Sequence, residues 1–80
     1  MNPERLQLKV MLAESKKTYR QLDTEASGLI ILIRSLLNPY EEILKLGTEK
    51  ALVSLKRLDE ITKEMKTLSE KIKKLEGDIE

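Results

Sequence analysis

The stretch from Leu36 to Glu49 reads "LLNPYEEILKLGTE", and its reading decides the fold. Before it runs one apolar seam: Leu8, Leu12, Ser15, Tyr19, Leu22, Ala26, Leu29, Ile33 and Leu36. The steps alternate four and three, which puts these side chains on one stripe of a helix with a heptad repeat. After it runs a second seam with the same steps: Leu58, Ile61, Met65, Leu68, Ile72, Leu75 and Ile79. The positions between are polar and charged, as a solvated helix face requires. Asp59 before Lys63 and Glu70 before Lys74 are acid–base pairs at i,i+4, each worth a few tenths of a kcal/mol.

Pro39 stands between the seams. Its missing N–H and its ring cost roughly 3 kcal/mol inside a helix, and it biases Asn38 away from the helical region. The first helix is therefore expected to end near Leu37. Asn38 can cap a short helix with Pro39 in its first position and Glu41 and Glu42 in its first turn. The same signal, Asn2-Pro3-Glu4, opens the chain. Gly47 then occupies a C′ position and Thr48 an N-cap position.

The spacing predicts one domain over 1–80 with helices over 3–37, 39–46 and 48–79. At 1.5 Å per residue each long helix spans roughly 50 Å, and matched lengths with a short connector fit an antiparallel pair. The fold class is all-α: a coiled-coil-like antiparallel hairpin of two long helices and a short connecting helix, two copies of which make a dimeric four-helix bundle. The alternative carries the steps through the proline as Ile33, Leu36, Tyr40, Leu44, Gly47, Ala51, Ser54 and Leu58, with one residue of extra phase. That path is a single rod kinked at Pro39. The tail from Glu76 to Glu80, which contains Gly77, is expected to fray.

The turn end is unusually apolar. Leu29 to Ile33 are five branched aliphatics in a row. Successive helical residues point about 100° apart, so Ile30 to Ile33 cover nearly the whole circumference. Ala51, Leu52, Val53 and Leu55 are expected opposite, with Tyr40, Ile43, Leu44 and Leu46 as a lid, in one apolar knot. Two neighbouring segments cannot wrap a helix completely. At ~25 cal/mol per Å², leaving two or three such side chains wet forgoes several kcal/mol, which rivals the stability of so small a domain. The surplus points to a partner surface built from Ile30, Ile31, Leu32, Leu37, Ile43, Leu52 and Val53. Leu8, Leu12, Leu22, Leu58, Met65 and Ile72 are expected to hold the seam within the chain.

Composition agrees with this class. Eighty residues make one domain at most. The chain has no Cys, no His and no Trp, so the core is aliphatic and no disulfide supports it. A core that small usually needs a partner chain. Fifteen basic against 14 acidic residues give a net charge of +1, which gives no strong attraction to nucleic acid or anionic lipid. No apolar leader segment opens the sequence and no run approaches the ~18–20 apolar residues of a membrane span. With no Cys, a cytoplasmic location is the expectation.

Catalytic chemistry finds few candidates. The adjacent carboxylates Glu41-Glu42 and Asp59-Glu60 diverge on a helix and do not converge on a metal. There is no His base for a nucleophile. The three glycines are isolated at positions 28, 47 and 77, so there is no phosphate loop. No cofactor or metal is expected. Two alternatives remain. One is weak nucleic-acid binding by the Lys63–Lys74 face (Lys63, Lys66, Lys71, Lys73, Lys74), which has no stacking aromatic beyond Tyr19. The other is a small helical mutase-type enzyme using Arg5, Arg20, Arg34 or Arg57, of which Arg34 sits in the apolar stretch. The plainer role for Arg34 is snorkelling or pairing with Glu41 or Glu42. Membrane insertion is disfavoured by Arg34, Glu41 and Glu42 and by the lack of Trp or Phe. The expected function is non-catalytic association by helix packing, as an adaptor, scaffold or chaperone-like subunit. Its partner is a second copy, a helical protein, or both.

Overall fold

The computed structural model describes residues 3–79. Two long helices, α1 (Pro3–Leu36) and α2 (Thr48–Ile79), pack against each other along their lengths. Only one short 3-10 turn, Ile43–Lys45, lies in the connector. The molecule is a hairpin 63 Å long and 15 Å across. The kinked rod is thereby excluded. Among the described residues there is no strand, and no helix is long and apolar enough to cross a membrane.

Pro3 is the first residue of α1 and Glu4 lies in its first turn, next to the positive end of the helix dipole. The expected cap, Asn2, lies outside the described residues. At the other end the Leu37 N–H donates to the Ile33 carbonyl at 2.9 Å, and the helical pattern stops there. Pro39 cannot continue it.

The connector corrects the expected helix over 39–46. Asn38 starts a turn rather than a helix. Its side-chain Oδ1 accepts the Tyr40 N–H at 2.9 Å, and its carbonyl accepts the Glu41 N–H at 3.1 Å. Asn-Pro is as good a turn initiator as a helix start, and eight residues are too few for the start signal to nucleate a helix without a packed face.

Gly47 also differs from expectation. It is the N-cap of α2, since its carbonyl accepts the Ala51 N–H at 2.8 Å, and Thr48 is the first helical residue. Its φ is not positive, so what glycine provides here is room beside the Leu36 side chain. The Gly47 N–H donates to the Leu36 carbonyl at 3.2 Å, and a Cβ here would lie 2.7 Å from Leu36 Cδ2. This contact ties the end of α1 to the start of α2.

The core follows the seams. In α1 every seam residue from Leu8 to Leu36 is buried or half-buried, and Leu32 is the one other residue of that helix that is not exposed. In α2 the seam from Leu58 to Ile79 does the same and continues upstream through Ser54 and Ala51. Ile61 alone among the described large side chains is fully buried, with 0% exposed. It sits with Leu22 and Ala26 and is packed by Leu29, Leu58, Met65 and Leu68. Small residues interrupt the large ones at Ser15 and Ala26 in α1 and at Ala51 and Ser54 in α2, and all four are buried, where the two helices approach closely. At the other end α2 runs through Gly77 to Ile79, with Leu75 buried.

Gly28 lies inside α1, and nothing stands within 4 Å of where its Cβ would be. Glycine in a helix interior costs roughly 0.5–1 kcal/mol relative to alanine. Gly28→Ala is therefore expected to raise the unfolding free energy by about that amount in chemical denaturation. A loss of stability instead would mean that something outside this chain packs on Gly28.

Candidate association surface

Two flanks run along the hairpin, one on each side of the seam, and they differ. In an antiparallel pair, residues just before the seam positions on each helix share one flank, and those just after share the other. On the first flank Glu25, which precedes Ala26, meets Arg57, which precedes Leu58. Arg57 donates from Nε to Glu25 Oε2 at 2.6 Å and from Nη2 to Glu25 Oε1 at 3.0 Å, and its Nη1 lies 3.5 Å from Glu60. This is the bidentate geometry in which arginine and carboxylate bind best. The Arg57 hydrogen bond holds the Glu25 carboxyl below its ordinary value, and Glu25 in turn raises the Arg57 guanidinium further.

The Glu25 shift has a consequence for pH. A depressed folded pKa contributes stability that is present above the ordinary carboxylate value of 4.5 and is lost as pH falls through the folded value. Wild type is expected to melt above Glu25→Gln at neutral pH, with the gap closing on acidification below that value. A gap that stayed constant down to pH ~2 would show that the pair contributes nothing.

The second flank is apolar at the turn end. Ile30 and Leu37 follow the seam residues Leu29 and Leu36, and Leu55 follows Ser54, with Leu52 one turn nearer the connector. All four are exposed. Farther along, the same flank becomes polar: a shallow groove of ≈ 480 Å³ is lined by Tyr19, Thr62, Met65, Lys66, Ser69, Glu70 and Lys73.

The seven residues expected at a partner surface all lie at this end, and six of them are exposed: Ile30, Ile31, Leu37, Ile43, Leu52 and Val53. Leu32 is half-buried. Ile31 and Val53 keep 70% and 68% of their surface. The expected lid is not formed. Tyr40, Ile43 and Leu44 are 95%, 78% and 98% exposed, and only Leu46 is half-buried. Nor do Leu52, Val53 and Leu55 close a knot over α1, because the α2 seam faces α1 through Ala51 and Ser54 instead. Counting apolar residues placed Tyr40, Leu44 and Leu55 inside. The heptad phase, read back from Leu58 through Ser54 and Ala51, places Leu55 outside, and that signal was present in the sequence.

Arg34 is exposed and pairs with neither Glu41 nor Glu42. Glu42 instead lies 3.6 Å from Lys45, and Glu41 Oε1 accepts the Glu42 N–H at 3.0 Å. The Asp59–Lys63 pair forms at 2.9 Å, and Asp59 raises the Lys63 ammonium above its ordinary value. Glu70 and Lys74 do not pair. The basic residues Lys63, Lys66, Lys71, Lys73 and Lys74 are all exposed on α2. Among the described residues no group of three acids could hold a metal ion. Arg57 is committed to Glu25 and Glu60, and Arg5, Arg20 and Arg34 stand roughly 20 Å from one to the next along α1 at 1.5 Å per residue. Comparison with protein-family models, curated proteins and solved structures finds no match for the chain.

Proposed function

We propose that this chain is a non-catalytic protein–protein association module that works by helix packing at the turn end of the hairpin. One observation carries the reading. Nine large apolar side chains (Ile30, Ile31, Leu37, Tyr40, Ile43, Leu44, Leu52, Val53 and Leu55) are exposed together at one end of the molecule. At roughly 200 Å² for a fully exposed large side chain they present on the order of 1,000 Å², above the ~300–600 Å² of the largest patch on ordinary monomers. Arg34, Glu41, Glu42, Glu49 and Lys50 are interspersed with these residues, which favours a polypeptide over hydrocarbon as the covering material. An adaptor, scaffold or chaperone-like subunit in the cytoplasm fits this reading.

Sedimentation velocity with a hydrophobic dye tests the proposal. The expected result is a species larger than one chain, or a single chain that binds the dye at the turn end. A monodisperse single chain that binds no dye overturns it.

A further inference from the structure

We infer that the open half of the second flank is a docking groove for an acidic amphipathic helix of another protein. This surface lies apart from the apolar turn end, and it does not rest on the reading above.

Like charges stand at the same height across this groove, twice over. The helices run antiparallel, and Arg57 meets Glu25. Nine residues from that contact toward the open end stand Lys16 on α1 and Lys66 on α2, and seven further on stand Lys9 and Lys73. Each of these lysines directly follows a seam residue, which places it on the second flank. All four are exposed, and among the described residues none of them forms an ion pair. Arg20, which follows Tyr19, adds a fifth cation. The first flank is built differently, with Glu25 set opposite Arg57 so that the hairpin neutralises itself. Cation facing cation is unfavourable between packed helices, and charges beside a seam select which further helix is accepted. The nearby acids do not cancel these cations. Asp59 is held by Lys63 at 2.9 Å. Asp23 and Glu76 lie at the two ends of the basic stretch, and Glu70 lines the groove beside both Lys66 and Lys73.

The floor and the spacing name the partner. Between the cations lie Tyr19, Thr62, Met65 and Ser69, and of these Tyr19, Met65 and Ser69 are half-buried. A partly apolar floor with a basic rim suits a helix that brings apolar anchors flanked by carboxylates. The lysine pairs recur after seven residues, ~10.5 Å at 1.5 Å rise, which is the repeat of glutamates along one face of a heptad helix. Nucleic acid fits less well, because the one aromatic ring here, Tyr19, belongs to the seam and is not free to stack. A second copy laid on this flank brings lysines or aliphatic side chains to these positions, not carboxylates.

Fluorescence anisotropy with a labelled three-heptad peptide, carrying Leu at its a and d positions and Glu at e and g, tests the inference. The peptide is expected to bind at low salt and to lose affinity at least about 10-fold by ~0.5 M salt. Lys66→Glu with Lys73→Glu is expected to lower affinity at least about 10-fold. Lys66→Gln with Lys73→Gln, which adds no acid beside Glu70, is expected to act in the same direction, and circular dichroism checks that both variants fold. Lys17→Glu with Lys56→Glu changes the net charge as much as the first variant but on the outward faces, and is expected to leave affinity within about twofold. A peptide with Lys in place of Glu is expected to bind the Lys66→Glu, Lys73→Glu variant and not the wild type. Failure of the acidic peptide to bind, or an equal loss with the outward pair, overturns the inference. Oligothymidine that displaces the acidic peptide at lower concentration than unlabelled peptide does also overturns it, in favour of nucleic acid.

Discussion

Replacing Ile61 by alanine is expected to lower the unfolding free energy by about 3–4 kcal/mol, within the range measured for large-to-small changes in packed cores. Among the described residues Ile61 is the one large side chain wholly withdrawn from water, and its neighbours include Leu22, Ala26, Leu58 and Met65. Ala26, in the same buried cluster, is already small. An alanine at 61 therefore leaves two small residues in one cluster, and two packed helices relax only partly into such a void. A domain of this length has on the order of 5–10 kcal/mol of stability, so the change removes a large share of it. Thermal melts at one fixed protein concentration are expected to show a fall of roughly 15–25 °C. Fixing the concentration matters because any self-association adds concentration-dependent stability. A loss below ~1 kcal/mol would show that the seam around Ile61 is not the core.

The double substitution Ile30→Lys with Leu52→Lys is expected to leave the hairpin folded and to weaken association by at least about 100-fold, or ~3 kcal/mol. Both residues are exposed in the single chain and lie off the seam. Lysine is a good helix former, so the intrachain fold loses little. In a complex each lysine must desolvate a charge where an aliphatic side chain was being buried. Circular dichroism should be unchanged while sedimentation shifts to the single chain and dye binding falls. Val10→Lys is the control: Val10 is also an exposed aliphatic, but it lies at the open end, so the same charge there should leave association intact. If the double variant associates as wild type does, the turn end is not the contact surface.

Much of the hairpin was legible in the sequence, and for local reasons. The four-three steps from Leu8 to Leu36 name the buried stripe of α1 almost residue for residue, because helical periodicity is a property of the chain's own geometry. Pro39 ends that stripe because a missing N–H and a steric clash need no tertiary partner to act. The Asp59–Lys63 pair was readable for the same reason. The connector was not. Asn38-Pro39 fits a helix start and a turn start equally well, and only the turn-closing bonds to Tyr40 and Glu41 separate the two. Arg34 shows a similar limit. It lies within reach of Glu41 and Glu42 along the sequence, yet the turn at Asn38 directs those carboxylates to Lys45 and to the backbone.

The sequence by itself determined that this is an all-helical chain with two matched seams, a break at Pro39 and more apolar surface near that break than a helix pair can hide. Those are matters of composition and period, which any stretch of chain carries with it. Tertiary structure alone decided the rest. It set the register that puts Arg57 on Glu25 and Gly47 on Leu36, the facing of α2 through Ala51 and Ser54, and hence the exposure of Leu52, Val53 and Leu55. The physical reason is that a seam specifies which side of a helix is buried but not the height at which two helices meet. That height is fixed only when side chains from distant parts of the chain interdigitate.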